Sequence, residues 1–414
     1  MSSIHPAQPA LMSTTTVALM LALMLGSQPI ATDVYLPALP ALVHSLDAPM
    51  SAAQLTLSGL ILCFGLSQLV WGPLSDRYGR RPVLLAGLAL YSLSALGAAL
   101  APSIGWLIAW RALQGIGMAA PVTCGRSIVR DLYEPREGAR VMSRALGGLG
   151  LIAMCGPVVG GLLAEYLHWR ATLGVVSLFG VCTLAYVALR YRETLPLKDK
   201  TATRSRQMMR NWKRILGNPT FIAWASLLCA TWGGLFLMLA ASSFIYIEVH
   251  GTSRMVYGSV LAVSSLAYIV GTFFCRWLLA RGNASRAVGV GAVFSLAGGL
   301  SMAGLSLAGV HTLWALVVPQ LLYAVGHGVH QPCGQAGAVS AFPENAGTAA
   351  SLSGFAMMAV AFAVSQWLGI AMNGTVYPLT LGVGFFSLCV ATVAWTLVRK
   401  NGDRRVLAST RQTA

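Results

Sequence analysis

Acidic residues are scarce in this chain, and charge of either sign is thin. Twelve Asp and Glu stand against 28 Lys and Arg in 414 residues, so only 10% of the chain is charged. Ordinary soluble domains carry about 25%. A water-soluble fold of this length has too few charges here to cover its surface, which excludes a soluble enzyme. Close cysteine spacing is also missing. The eight Cys fall at 63, 124, 155, 182, 229, 275, 333 and 389. That scatter excludes a disulfide framework and a zinc site, and the thiols read as small core residues. No Lys or Arg precedes the first apolar run, so a cleaved secretory leader is not expected.

What is abundant points one way. Hydrophobic residues make up 56% and glycines number 44, with a mean hydropathy of +0.69. A bilayer-spanning helix needs about 20 mostly apolar residues. Twelve runs qualify: 13–42, 51–72, 82–101, 104–129, 140–164, 169–190, 219–247, 256–279, 287–309, 312–339, 346–371 and 376–398. The alternating period of a barrel strand is absent. The expected class is an all-α membrane protein of twelve transmembrane helices. One long polar stretch, 191–218, divides them into two sets of six. The expected organisation is a six-helix half over 1–190, a linker over 191–218, a second half over 219–398 and a tail over 399–414. Parallel repeats of this kind recur in transporters.

The net charge of +16 would suggest nucleic acid in a soluble chain. Its placement gives another reading. Twenty-five of the 28 basic residues fall on the side that holds both termini and the linker. Arg170 and Arg254 fall on the other, and Arg111 falls within a span. By the positive-inside rule both termini are cytoplasmic, in a bacterial inner membrane. The basic linker then reads as a topology determinant, and no nucleic-acid partner is expected.

Few polar residues remain inside the spans. Asp33 is the one acid, and a carboxylate there is costly unless paired or protonated. It is a candidate for proton coupling or for holding a cationic substrate. The alternative is a helix cap near outer water, because Pro29, Pro37 and Pro40 make that span irregular. Arg111 is the buried cation. Gln114, Gly115 and Met118 share its helix face, which should look into a cavity, since an Arg has no place against lipid. Arg111 and Asp33 are expected to sense one another. The bland alternative is an Arg bonded to backbone carbonyls. Gly156, Pro157, Gly160 and Gly161 suit close helix packing. His327 and His330 stand three apart. Without a second ligand cluster they read as packing or polar lining, with no metal and no cofactor expected. Trp232, Phe236, Tyr246 and Tyr268 read as stacking surfaces for a substrate or as core.

Three strings carry a resemblance. Gly72-Pro-Leu-Ser-Asp76-Arg77-Tyr-Gly79-Arg80-Arg81 resembles the motif A signature of the major facilitator superfamily. Arg111-Ala-Leu-Gln114-Gly115-Ile-Gly117 resembles motif B of its proton-coupled members. Gly156-Pro157-Val-Val-Gly160-Gly161 resembles motif C of its antiporters. The strings around Asp33 and Tyr35, Arg130-Asp131, His327-Gly-Val-His330-Gln331-Pro332 and Phe342-Pro343-Glu344 are similar to the bicyclomycin-resistance (Bcr/CflA) type of drug:proton antiporter. In the second half motif A is degenerate and has no Asp.

The resemblance implies a central cavity between two halves and alternating access, with Arg111 assisting proton transfer. It implies a cytoplasmic charge network of Asp76, Arg77 and Asp131, in which Arg77 is expected to pair with Asp131. The expected function is efflux of a small drug-like or metabolite substrate against inward protons, about one per cycle, by a monomer. Asp33, Tyr35, Gln114, Met118, Trp232, Phe236, Tyr246, His327 and Gln331 are the candidate substrate residues. A proton-coupled uptake symporter shares these features. A membrane-embedded enzyme is disfavoured, because paired carboxylates, an activated nucleophile and a metal cluster are all missing from the spans.

Overall fold

The computed structural model describes residues 12–133, 135–195, 198, 205–342 and 345–402. The expected tail beyond 402, parts of the linker, Pro343 and Glu344 lie outside the described residues.

The fold is helical throughout these residues. The chain runs α1 (Thr14–Asp33), a 3-10 turn (Leu36–Ala38), α2 (Leu39–Ser45), α3 (Met50–Tyr78), α4 (Arg80–Ala99) and α5 (Ile104–Leu132). It continues through α6 (Pro135–Tyr166), α7 (Trp169–Arg190), the short α8 (Ser205–Leu216), α9 (Pro219–Phe244) and α10 (Arg254–Arg281). It ends with α11 (Ala284–Leu307), α12 (Leu313–Ser340), α13 (Ala346–Ala371), α14 (Tyr377–Val393) and α15 (Arg399–Asn401). Side-chain oxygens or imidazole cap several starts: Ser13 for α1, His168 for α7, Asn218 for α9, Ser253 for α10, Asn283 for α11 and Thr312 for α12.

Ten helical segments are long and apolar enough to cross a membrane, against twelve expected. The difference is α5 and α12. They have 29 and 28 residues, but hold Arg111, Gln114, Arg126, Gln320, His327, His330 and Gln331. Lipid does not tolerate such side chains, and here most of them are buried against other helices.

Outward-facing apolar residues line the remaining helices. Leu93, Leu178, Phe273, Ile370 and Phe385 are all exposed, a surface suited to acyl chains rather than water. Aromatic residues mark its two edges: Tyr78, Trp277 and Trp395 at one end, Trp106, Tyr166 and Trp314 at the other. The thiols partly depart from expectation. Cys124, Cys275 and Cys333 are buried, but Cys155 and Cys182 are exposed on apolar helix faces. All eight are free.

The packing repeats. In the first group α3 and α4 lie on α5, α4 on α7, and α6 on α1. In the second, α10 and α11 lie on α12, α11 on α14, and α13 on α9. The groups meet along two seams, α3 with α13 and α6 with α10. Short connections make successive long helices antiparallel. One end of the bundle therefore carries both described chain ends and α8. It is called the terminal end below, and its opposite the far end.

Candidate functional site

The α1 helix stops at Asp33, twenty residues into a 32-residue apolar segment. Pro29, Pro37 and Pro40 remove donors on either side of the break. Asp33 thus sits at a helix C-terminus, where backbone carbonyls already carry partial negative charge. Its one hydrogen bond comes from the Thr32 hydroxyl, 2.7 Å from Oδ1. It is half-buried and, among the described residues, has no ion-pair partner. Across it stands Gly156 of α6, where an added Cβ would come 3.6 Å from Asp33 Cβ, and one residue on, the Pro157 carbonyl packs on Gly258 of α10.

Arg111 is fully buried and does not pair with Asp33. Nη2 donates to Ala31 O at 3.0 Å, Nη1 to Gln114 Oε1 at 2.8 Å, and Nε to Thr56 O at 3.4 Å. The guanidinium also lies 4.4 Å from the Tyr35 ring centroid. Tyr35 in turn reaches Thr56 Oγ1 at 2.7 Å. Any influence of Arg111 on Asp33 thus acts across space and not through a direct ion pair. Arg111 ties α5 to the broken end of α1 and to α3, which fixes the position of the Asp33 segment.

The seams close at the far end. Gln54 Nε2 donates to Ala240 O at 2.9 Å, Ser365 Oγ to Gln54 O at 3.2 Å, and Gln366 Nε2 to Ser58 Oγ at 3.2 Å. Arg254 donates from its backbone N to Glu165 at 3.0 Å and from Nη1 to Ala164 O at 3.1 Å. His44 and Glu248 meet at 3.3 Å. Nearby, burial and His311 hold the His250 imidazole below its usual range. Glycines permit the approach. A Cβ on Gly160 would collide with Val34 O, one on Gly161 with Arg254 O, and one on Gly258 with Pro157 O. Gly156 makes only ordinary contact at its Cβ position.

Toward the terminal end, helices of both groups carry exposed residues. Leu19 of α1 is 49% exposed although α1 packs among α5, α6 and α7. Ile222 of α9 is 44% exposed, and Arg126 of α5 and Gln335 of α12 are exposed as well. Farther along the same helices, Trp232 and Gln331 are half-buried, with Trp232 Nε1 and Gln331 Oε1 closed off from solvent. Tyr35, Gln114, Met118, Phe236, Tyr246 and His327 are instead buried in packing deeper toward the far end or within the second group. Thr231 bridges the histidines, 2.9 Å from His327 Nδ1 and 3.4 Å from His330 Nδ1, and His330 Nε2 donates to Val288 O at 3.2 Å. Among the described residues no group of side chains is suited to a metal ion.

The loop signature lies at the terminal end. Arg80, 1% exposed, is held by Asp76, by Asp131 at 3.0 Å and by Ser75 Oγ at 2.6 Å. Arg80, not Arg77, is therefore the cation at Asp131; Arg77 stacks over Tyr78. Gly79 has φ +109° and ψ 156°, a conformation open essentially to glycine alone. That turn aims the first amides of α4 at Glu193, whose carboxylate accepts from Arg80 N and Arg81 N, both at 3.0 Å. Arg81 also binds Tyr191 O and Ala188 O. Gly72, by contrast, meets nothing nearer than 3.7 Å at its Cβ position. Glu193 and Thr231 carry no sequence signal, since only tertiary closure brings them here.

Residues 21–366 match the sequence model of the Major Facilitator Superfamily. Multidrug resistance protein D of Escherichia coli (strain K12) is 31% identical over 338 residues, 81% of this chain and 84% of that protein. The chloramphenicol resistance protein of Pseudomonas aeruginosa is 28% identical, over 91% of this chain and 90% of that one. An uncharacterized MFS-type transporter of Bacillus subtilis, YdgK, is 32% identical over 247 residues, which span 61% of its length. In fold, the chain is similar to the xylose transporter XylE from E. coli in a partially occluded inward open conformation. The TM-score is 0.71 at 14% identity, covering 93% of this chain and 98% of that one.

Proposed function

The chain belongs to the major facilitator superfamily, and we propose that it exports a small drug-like or metabolite substrate in exchange for protons by alternating access. In this reading α5 and α12 also span the bilayer. The twelve spans then form two six-helix halves, 1–190 and 219–398, joined by 191–218. The terminal end is the cytoplasmic side of a bacterial inner membrane, with 25 of 28 basic residues there or in its loops. The protein works as a single copy with substrate, protons and lipid as its partners, and needs no cofactor. The names of the multidrug and chloramphenicol resistance relatives support the substrate class.

One observation carries this reading. Asp33, without a balancing cation among the described residues, lies toward the closed far end against Gly156 of α6, where α6 packs on α10 through Pro157 and Gly258. A carboxylate at that seam has different surroundings when the halves part there. Protonation from outer water would let the seam close over a neutral acid. Loss of the proton toward the terminal end, as substrate enters, would favour reopening. One charge crossing in exchange gains about 2.3 kcal/mol per 100 mV of membrane potential. Arg111 serves by fixing the Asp33 segment, and Trp232 and Gln331 face the substrate.

The test is a screen of phenicols, bicyclomycin-like compounds, sulfonamides and small metabolites against proteoliposomes carrying a luminal pH dye. Antiport predicts that an added substrate drives protons out of the lumen. Protons entering together with the substrate would make the protein a symporter.

A further inference from the structure

Arg126 stands out from the other deep cations. Arg111 is saturated by two carbonyls, Gln114 and a ring. Arg80 has two carboxylates and a hydroxyl. Arg170 takes Ala101 O at 3.0 Å and the Trp169 ring. Arg126 has no hydrogen bond, ion pair or ring contact among the described residues, although it lies within a 29-residue helix beside the α1 contacts of Gly125. Its side chain is at the same time exposed. An exposed cation this far inside a spanning helix needs a wet path to it. It falls within the apolar run 104–129 and counts among the basic residues of the terminal side. The structure places it inside α5, six residues before the end at Leu132, or roughly 9 Å at 1.5 Å per residue.

The helix phase says which way it faces. Arg111, Gly115, Met118, Val122 and Arg126 are spaced four, three, four and four apart, so they form one stripe. At the far end that stripe binds α1 and α3. Toward the terminal end it finishes at Arg126, at about the depth where Leu19 of α1 and, in the second group, Ile222 and Gln335 are exposed. Farther in, Trp232 Nε1 and Gln331 Oε1 have no hydrogen-bond partner among the described residues. Trp232 is thirteen residues from the start of α9, roughly 20 Å from that end and so about 10 Å beyond Arg126.

A guanidinium offers five N–H donors in a flat fork that matches a carboxylate two bonds at a time. We propose that Arg126 is a specificity-determining anchor for substrates that carry a carboxylate on an aromatic frame. The acid group pairs with Arg126 at the terminal mouth, and the ring lies inward along Leu19 and Ile222 toward Trp232. This rests on the export reading above and narrows its substrate class. It also has a transport consequence: an anion leaving as a proton enters moves two charges along the membrane potential instead of one.

The test is equilibrium binding to the purified protein in nanodiscs, which requires no proton coupling. The probes are 1-naphthoate and 1-naphthamide, matched in ring and differing in charge. The wild type should bind naphthoate at least ten-fold more tightly than naphthamide. Arg126→Gln should erase that ratio while leaving naphthamide affinity unchanged, which also reports an intact fold. Arg126→Lys should keep part of the ratio, and Arg130→Gln, on the same helix but nearer its end, should keep all of it. A wild type that does not prefer naphthoate, or fails to bind it, overturns the proposal. So does a ratio that survives Arg126→Gln, the result expected of a side chain that merely snorkels to water. Proton-coupled export of neutral drugs by a protein without this preference would remove the anchor and leave the export reading standing.

Discussion

Arg80 is gripped by two carboxylates of unequal burial, Asp131 at 9% exposure and Asp76 at 41%. Removing one partner of a buried pair costs about 3–5 kcal/mol, whereas an exposed partner contributes about 1 kcal/mol or less. Asp131→Asn should therefore lower the unfolding temperature clearly more than Asp76→Asn, measured by thermal unfolding in nanodiscs. Equal shifts would contradict the assignment. Gly79 and Gly72, both in the signature, should separate in the same assay. Gly79→Ala forces a side chain into a left-handed backbone against Glu193, while Gly72→Ala makes only an ordinary contact with Thr123. The signature was legible as a string, but its wiring was not. Asp76 and Arg77 lie on α3, and the Gly79 break re-aims Arg80 before α4 begins. Counting along one helix therefore pairs the wrong arginine with Asp131. Glu193, 113 residues beyond Arg80, leaves no local trace.

At the scale of the element, α6 does two jobs on adjacent glycines. Gly160 lets α1 approach at Val34, and Gly161 meets Arg254 of α10, with Gly258 returning the contact at Pro157. Helix association in lipid relies on such close backbone packing. A valine at Gly258 should hold the far end of the α6–α10 seam apart. Spin labels at the exposed Tyr166 and Met255, in a background without native cysteines, should then report a longer distance than in the parent. An unchanged distance would show that the seam does not depend on this contact. The spacing of the glycines was visible in the sequence, but which neighbour each one meets was not. The same limit applied to α5. Its stripe was followed from Arg111 only to Met118. Two further turns of the same period carry the stripe on to Arg126, within the same apolar run.

At the scale of the molecule, the two packed groups repeat one pattern of neighbours, down to the ring anchors. Arg111 holds Tyr35 in the first group, and Gln320 accepts a hydrogen bond from Tyr246 at 2.7 Å in the second. The repeat carries the fold; the differences carry the chemistry. Asp33 of the first group has no counterpart acid at the matching break in the second group among the described residues. Apolar runs made the architecture readable from sequence, because lipid imposes length and composition together. The two least apolar helices were the ones whose burial depended on everything around them. The central claim is that Asp33 couples protons to substrate. The direct measurement is substrate-driven proton movement in proteoliposomes of Asp33→Asn, beside equilibrium binding of the same substrate. The account predicts that proton movement is lost while binding stays within a few-fold of wild type. Proton exchange continuing unchanged in that variant would contradict it.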